Sequence, residues 1–252
     1  LRFHRTLDNG AQRAHFRKQP MIHPGHDDRE QWQPEELLGT LNEVEKKNAP
    51  KVLFVAGDVN LLRTGLRISV VGTREPSPEG AGRARALAAT LAQRGITVVS
   101  GLAKGVDTLA HRTAMEVGGR TIAVLGTPLD ACYPAENREL QTRIMREHLA
   151  VSQFPSGMRS GVKAFPMRNR TMALVSDATI IVEAGEGSGT LHQGWEALRL
   201  GRPLLLLESL VNRTDLRWPR EMMGFGAEML SRENLDEALA EIPGRTRSEL
   251  AF

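Results

Sequence analysis

The sequence predicts an α/β protein, a doubly wound and mostly parallel sheet with helices on both faces. Three observations carry that expectation. From Arg67 onward, short and nearly continuous apolar runs alternate with segments of helical length, as strands buried on both faces require. Gly95, Gly118-Gly119 and Gly201 fall where helices must stop, and glycine supplies the left-handed residue that ends them. Gly-rich turns join three of the strands to the helices that follow, at the carboxyl edge where such sheets bind ligands.

In chain order, residues 1–48 read as an N-terminal basic and helical extension. Leu1 to Lys18 holds Arg2, Arg5, Arg13, Arg17 and Lys18 without a sustained apolar period, and residues 19–25 read as irregular chain. Pro34 suits the first turn of a helix running towards Val44, which Ala49-Pro50 ends. A domain is expected over 49–245 and a polar tail over 246–252. A short strand is expected at 52–55, then strands at 67–72, 96–100, 120–125, 148–152, 178–183 and 203–207. Helices are expected at 79–93, 106–117, 139–146, 168–174 and 190–200. Beyond Leu207 the periodicity weakens, and 234–242 reads as a last surface helix.

Composition bounds the function. The 252 residues are 40% hydrophobic and 25% charged, ordinary for a globular chain, and the longest apolar run, near Leu204 to Leu207, is far too short to cross a bilayer. The single cysteine, Cys132, excludes an internal disulfide and a cysteine-built metal site, which suits a reducing, cytoplasmic setting. The net charge of +3 is weak evidence for a polyanionic partner, so the placement of the cations matters more. His23-x-x-His26 with Asp27 and Asp28 reads as a solvated loop, and neither metal nor cofactor is expected.

The chemistry concentrates in the turns. Gly72-Thr73-Arg74 with Ser77, Ser100-Gly101 with Lys104, and Ser188-Gly189-Thr190 each precede a helix, whose first N–H groups lack internal partners and attract anions. No G-x-G-x-x-G and no G-x-x-x-x-G-K-[ST] occurs, which disfavours dinucleotide and Walker-type chemistry. Neither Ser77 nor Ser188 has a nucleophile elbow around it. Asp107 reads as a helix cap and His111 as a packed or capping side chain. Phe165-Pro166-Met167-Arg168-Asn169-Arg170 places two guanidinium groups at an expected helix start, where the dipole favours acids, and so suggests an anionic ligand. Phe165 is suited either to stacking on a base or to the core.

Several ordered motifs resemble the DNA-processing protein A family (DprA, also called Smf). They are Val71-Gly72-Thr73-Arg74 with Ser77 and Gly80, Ser100-Gly101-Leu102-Ala103 with Gly105-Val106-Asp107 and Ala110-His111, and Thr121 to Leu125 with Tyr133-Pro134 and Asn137. Phe165-Pro166 with Arg168-Asn169-Arg170, and Val182-Glu183-Ala184 with Ser188-Gly189-Thr190-Leu191, complete the set. The resemblance runs from about Pro50 to Ile242. It implies an extended Rossmann-like domain that forms a homodimer, binds single-stranded DNA without sequence preference and helps load RecA during natural transformation. The family's S-G-S-L-x-T-A reads Ser188 to Gly194 here as S-G-T-L-H-Q-G, Glu208-Ser209 replaces the usual Pro-Gly, and the family's frequent C-terminal winged helix is not expected, for want of room after Phe252.

LOG-type phosphoribohydrolases are the second resemblance, through Gly187 to Thr190 and through Arg168 to Met172. Their catalytic glutamate position is Gln193 here, and an amide cannot supply the carboxylate. Glu196 lies one turn further along and is the candidate substitute. A nucleotide-binding sensor without turnover is a third reading. The expected function is therefore phosphate and nucleic-acid binding without catalysis. Arg74, Lys104, Arg168 and Arg170 would be the cations, and Gly72, Thr73, Ser77, Ser100, Gly101, Asn169, Ser188, Gly189 and Thr190 the neighbouring donors, with Phe165 beside them.

Overall fold

The computed structural model describes residues 30–244. The basic stretch 1–18 and the His23–His26 loop lie outside the described residues. The chain runs β1 (Glu30–Trp32), α1 (Pro34–Leu38), α2 (Glu43–Asn48), β2 (Leu53–Gly57), α3 (Asn60–Arg63), β3 (Arg67–Val71), α4 (Pro78–Gln93), β4 (Thr97–Ser100), α5 (Val106–Glu116) and β5 (Thr121–Leu125). It continues through α6 (Arg138–Glu147), β6 (Leu149–Ser152), α7 (Ala164–Val175), β7 (Ala178–Ile181), α8 (Thr190–Arg199), β8 (Leu204–Leu207), α9 (Glu208–Val211), α10 (Trp218–Gly224), β9 (Glu228–Leu230) and α11 (Leu235–Ala240).

The strands form one sheet in the order β1-β2-β6-β5-β4-β3-β7-β8-β9. Pairing from β6 across to β9 is parallel, while β2 joins β6 antiparallel and β1 joins β2 antiparallel. This is the expected α/β, Rossmann-like architecture. From β3 the chain builds outward through β4, β5 and β6, then returns to place β7, β8 and β9 on the other side. The switch point therefore lies between β3 and β7, where the helices on either side diverge and leave a crevice at the carboxyl ends.

Successive strand residues face opposite layers. Ile68, Val70, Val98, Ile180 and Val182 pack with α4 and α5, whereas Val71, Val99, Val124 and Ile181 pack with Met172 and Ala173 of α7. At the amino ends, Arg67 clamps β3 to β7. Its guanidinium lies 2.7 Å from Asp177 Oδ1 and its backbone N–H donates to Oδ2 at 2.8 Å, with both side chains 1% exposed. Residues 30–48 pack on this body, with Leu37, Leu38 and Leu41 in the core and Glu45 paired to Arg202.

Several elements differ from the sequence expectations, among them the unforeseen β1 and α3. The helix expected from Pro34 to Val44 is two short ones, because Gly39 turns left-handed at φ 74° and Asn42 caps a new start by accepting from Glu45 N. The helix expected at 168–174 begins four residues earlier, at Ala164. Beyond Leu207 the chain forms α9, α10 and β9 where only weak periodicity was visible, and it buries Trp218 and Met222.

His111 is packed, as its position suggests. It is fully buried on α5 with Nδ1 2.7 Å from Thr121 Oγ1, and burial pushes its imidazole down to about 3. The unfolded chain takes up this proton near pH 6.5, so the contribution of neutral His111 is complete above that pH and is lost as pH falls towards 3. The expected loss is roughly 1.4 kcal/mol per pH unit at its steepest. Urea unfolding at pH 7 and pH 5 should therefore show His111→Gln losing less stability between the two than the parent. An equal loss would place the acid sensitivity elsewhere.

Candidate functional site

A cavity of about 440 Å³ opens at the switch point between the carboxyl ends of β3 and β7. Nine of the sequence-predicted residues line it: Gly72, Thr73, Arg74, Phe165, Arg168, Asn169, Ser188, Gly189 and Thr190. Hydrogen bonds from Thr73 N to Glu183 O at 2.7 Å and from Thr190 Oγ1 to Gly72 O at 2.9 Å lock the two turns together. Asn169 Nδ2 donates to Gly189 O at 3.3 Å, tying α7 to the start of α8.

Ser77, Ser100, Gly101, Lys104 and Arg170 do not line the cavity. Ser77 caps α4, accepting from Gly80 N at 3.0 Å. It also donates its hydroxyl to Glu183 Oε2 at 2.7 Å, and its N–H donates to Oε1 at 2.9 Å. The start of α4 is thus already occupied by the protein's own carboxylate. A Cβ at Gly80 would collide with that carboxylate. Ser100 is buried and donates to Val70 O at 2.7 Å. Lys104 pairs with Glu136 at 2.5 Å, and Arg170 pairs with Glu196 at 3.0 Å, on the exposed surface in both cases.

The second turn is filled as well. Asp107, expected as a helix cap, lies inside the first turn of α5 behind Gly105 and binds the preceding loop instead. Its Oδ2 accepts from Gly101 N at 3.1 Å and Ala103 N at 3.3 Å. Between them Leu102 adopts a left-handed φ of 57°, a costly conformation for a leucine. Asn137 steadies it by donating to Leu102 O at 2.9 Å and to Thr108 Oγ1 at 2.8 Å.

Because α7 begins at Ala164, Arg168 sits one turn inside the helix rather than at its start. It is 7% exposed and donates to Gly101 O, to Val124 O at 3.1 Å and to Asn169 Oδ1 at 2.9 Å. A Cβ at Gly101 would strike the guanidinium. Burial raises the Asp107 carboxyl, against the opposing pull of Arg168, and burial lowers Arg168, against the pull of Asp107. The pull of each group offsets part of the other's desolvation.

Only the third turn holds no carboxylate, and the one side-chain acceptor on its N–H groups is Ser188 Oγ, 3.3 Å from Thr190 N. The first turn of α8 holds no acidic residue, so the positive end of its dipole faces the cavity without an internal counter-charge. Arg74 is exposed on the opposite wall and carries no ion pair among the described residues. The sequence reading did not place Asp107 or Glu75 on the wall, although both line it. The acidic residue just after Gly105 was the available signal for Asp107.

Gln193 lines the cavity, is 1% exposed and is bonded to the scaffold. With its amide oriented to satisfy its neighbours, it donates to Asn169 O at 2.7 Å and accepts from Thr179 Oγ1 at 3.2 Å. Glu196 is held between Arg170 and Arg199 and does not line the cavity.

Arg168→Ala strips a buried donor from the carbonyls of Gly101 and Val124 and an offsetting charge from Asp107, so it should cost about 1–3 kcal/mol of folding stability. Adding Asp107→Asn should cost less than the sum of the two single changes. Urea unfolding of the four proteins measures this, and strict additivity would show the two groups to be independent.

Comparison with known proteins bears on the same region. A family model described as DNA recombination-mediator protein A matches residues 30–243. The chain is 33% identical to DNA processing protein DprA of Bacillus subtilis over 193 residues, covering 76% of this chain and 65% of that protein. Across the curated relatives it matches, the chain spans from less than half to about two thirds of their length. The X-ray structure of DNA processing protein A from Streptococcus pneumoniae superimposes with a TM-score of 0.72 at 30% identity, covering 86% of this chain and 76% of that one. The Helicobacter pylori structure, described for its single-stranded DNA binding mode, gives a TM-score of 0.69 at 30% identity, covering 80% and 93%. With the family model matching residues 30–243 and two solved structures of DNA processing protein A superimposing at 30% identity, the chain belongs to the DNA recombination-mediator protein A family, the DprA/Smf proteins.

Proposed function

We propose that this protein binds single-stranded DNA through the switch-point cleft and catalyses no reaction there. One observation carries the reading: of three helix-opening turns at the carboxyl edge, two hold the protein's own carboxylates and the third, Ser188-Gly189-Thr190, holds none and shares the cavity with Arg74, which has no ion pair among the described residues. An anion entering the cleft meets fixed N–H groups on one side and a guanidinium on the other. Phosphate is the anion that a polynucleotide supplies repeatedly, and the Helicobacter pylori relative described for single-stranded DNA binding supports the choice. Thr73, Asn169 and Arg168 complete the wall. Lys104 and Arg170 become contacts when phosphate displaces Glu136 and Glu196.

A homodimer acting in the cytoplasm, with RecA as a partner in recombination, belongs to the same reading and is supported by the family resemblance. Among the described residues, no helix is long and apolar enough to cross a membrane.

Contacts with about three phosphates imply that log K falls with log salt at a slope near −2. Arg74→Ala should weaken binding by roughly 1.5–3 kcal/mol, the value of a charge-assisted contact, while changes of base sequence have little effect. Fluorescence anisotropy across a salt series tests both, and a slope near zero would remove the phosphate reading.

The hydrolytic alternative has a separate check. Nucleoside monophosphates incubated with the protein should release no free base, since Gln193 is committed to the scaffold and Glu196 lies off the cleft. Base release that vanishes in Glu196→Gln would instead establish a phosphoribohydrolase.

A further inference from the structure

We infer that Tyr133 is a base-stacking contact at the rim of the cleft, so that the site holds a phosphate and an adjoining unpaired base together. The inference rests on the proposed reading of the cleft and adds to it a recognition element outside the phosphate turns. Tyr133 is the chain's only tyrosine and is 53% exposed, although an aromatic ring gains most from burial. Its ring lies 5.4 Å from that of Phe165, tilted by 54°, and Phe165 lines the cleft. Phe165 is itself backed by Gly126, where a Cβ would meet the ring at 2.8 Å, so the pair rests on fixed backbone. The loop carrying Tyr133 is anchored by Asn137 to the α5 loop.

The surroundings match a nucleotide rather than an apolar partner. On the cleft side the neighbours of Phe165 are polar, with Thr73, Arg74 and Asn169 lining the same cavity. A half-exposed aromatic face at the edge of a cleft lined by a guanidinium is the arrangement that holds single-stranded nucleic acid with little sequence preference, because every base offers a π-face. A duplex keeps its bases stacked on one another and cannot use it. Tyr133 therefore discriminates single strands from duplexes, which a phosphate cradle alone does not.

The full chain is assayed by anisotropy with three probes of equal phosphate number: oligo-dT, an abasic oligomer and a duplex. The parent should bind oligo-dT about tenfold more tightly than the abasic strand. Tyr133→Leu should abolish most of that difference while leaving abasic binding unchanged, and Tyr133→Phe should keep it. In addition, biosynthetic 3-fluorotyrosine gives a single 19F resonance, from Tyr133, which should shift with oligo-dT and not with the abasic strand. Equal binding of both strands by the parent, or an unmoved resonance with saturating oligo-dT, would overturn the stacking role while leaving the phosphate reading intact. Failure of every probe to bind would remove the reading on which it rests.

Discussion

The backbone of Gly101 is gripped from both sides, and the rest of the cleft depends on that grip. Asp107 accepts its N–H from within α5, and Arg168 donates to its carbonyl from α7. One loop residue thereby joins helices on opposite layers of the sheet. The same two side chains compensate each other's charge in surroundings that desolvate both. Only glycine leaves room for the guanidinium at this point. The left-handed Leu102 follows from the arrangement, because the Asp107 carboxylate takes an N–H on each side of it.

The electrostatics of the carboxyl edge come from subtraction. Three strand-to-helix turns generate positive ends, and the fold neutralises two of them internally with Glu183 and Asp107. It pairs surface cations as well, Lys104 with Glu136 and Arg170 with Glu196. What remains is one helix start that holds no carboxylate and shares a cavity of about 440 Å³ with Arg74. A nearly neutral chain can therefore concentrate attraction for an anion at one place without a strongly basic surface.

The buried carboxylate under the floor also fixes where an anion cannot go. A phosphate seated on the Gly101 loop would have to displace Asp107, whose removal strands Arg168. The turn at Ser188 to Thr190 carries no such cost, since it is held by the Thr190 hydroxyl donating to Gly72 O and the Asn169 amide donating to Gly189 O.

The sequence by itself determined the layer architecture, the turns and most of the cleft wall. Alternating apolar runs and helix-ending glycines act through local periodicity and backbone conformation, which neighbours in the chain already express. The two breaks at Gly39 and Ala164 escaped because a helix start depends on caps as much as on periodicity. Tertiary structure alone decided which charges are free. Arg168, Lys104 and Arg170 look equivalent in sequence, yet one is buried beneath Gly101 and the others face carboxylates 32 and 26 residues away along the chain. Likewise Glu183 reaches Ser77 across 106 residues, and no local pattern records that contact. Charge compensation is a matter of distance in space, and only the folded sheet brings those groups together.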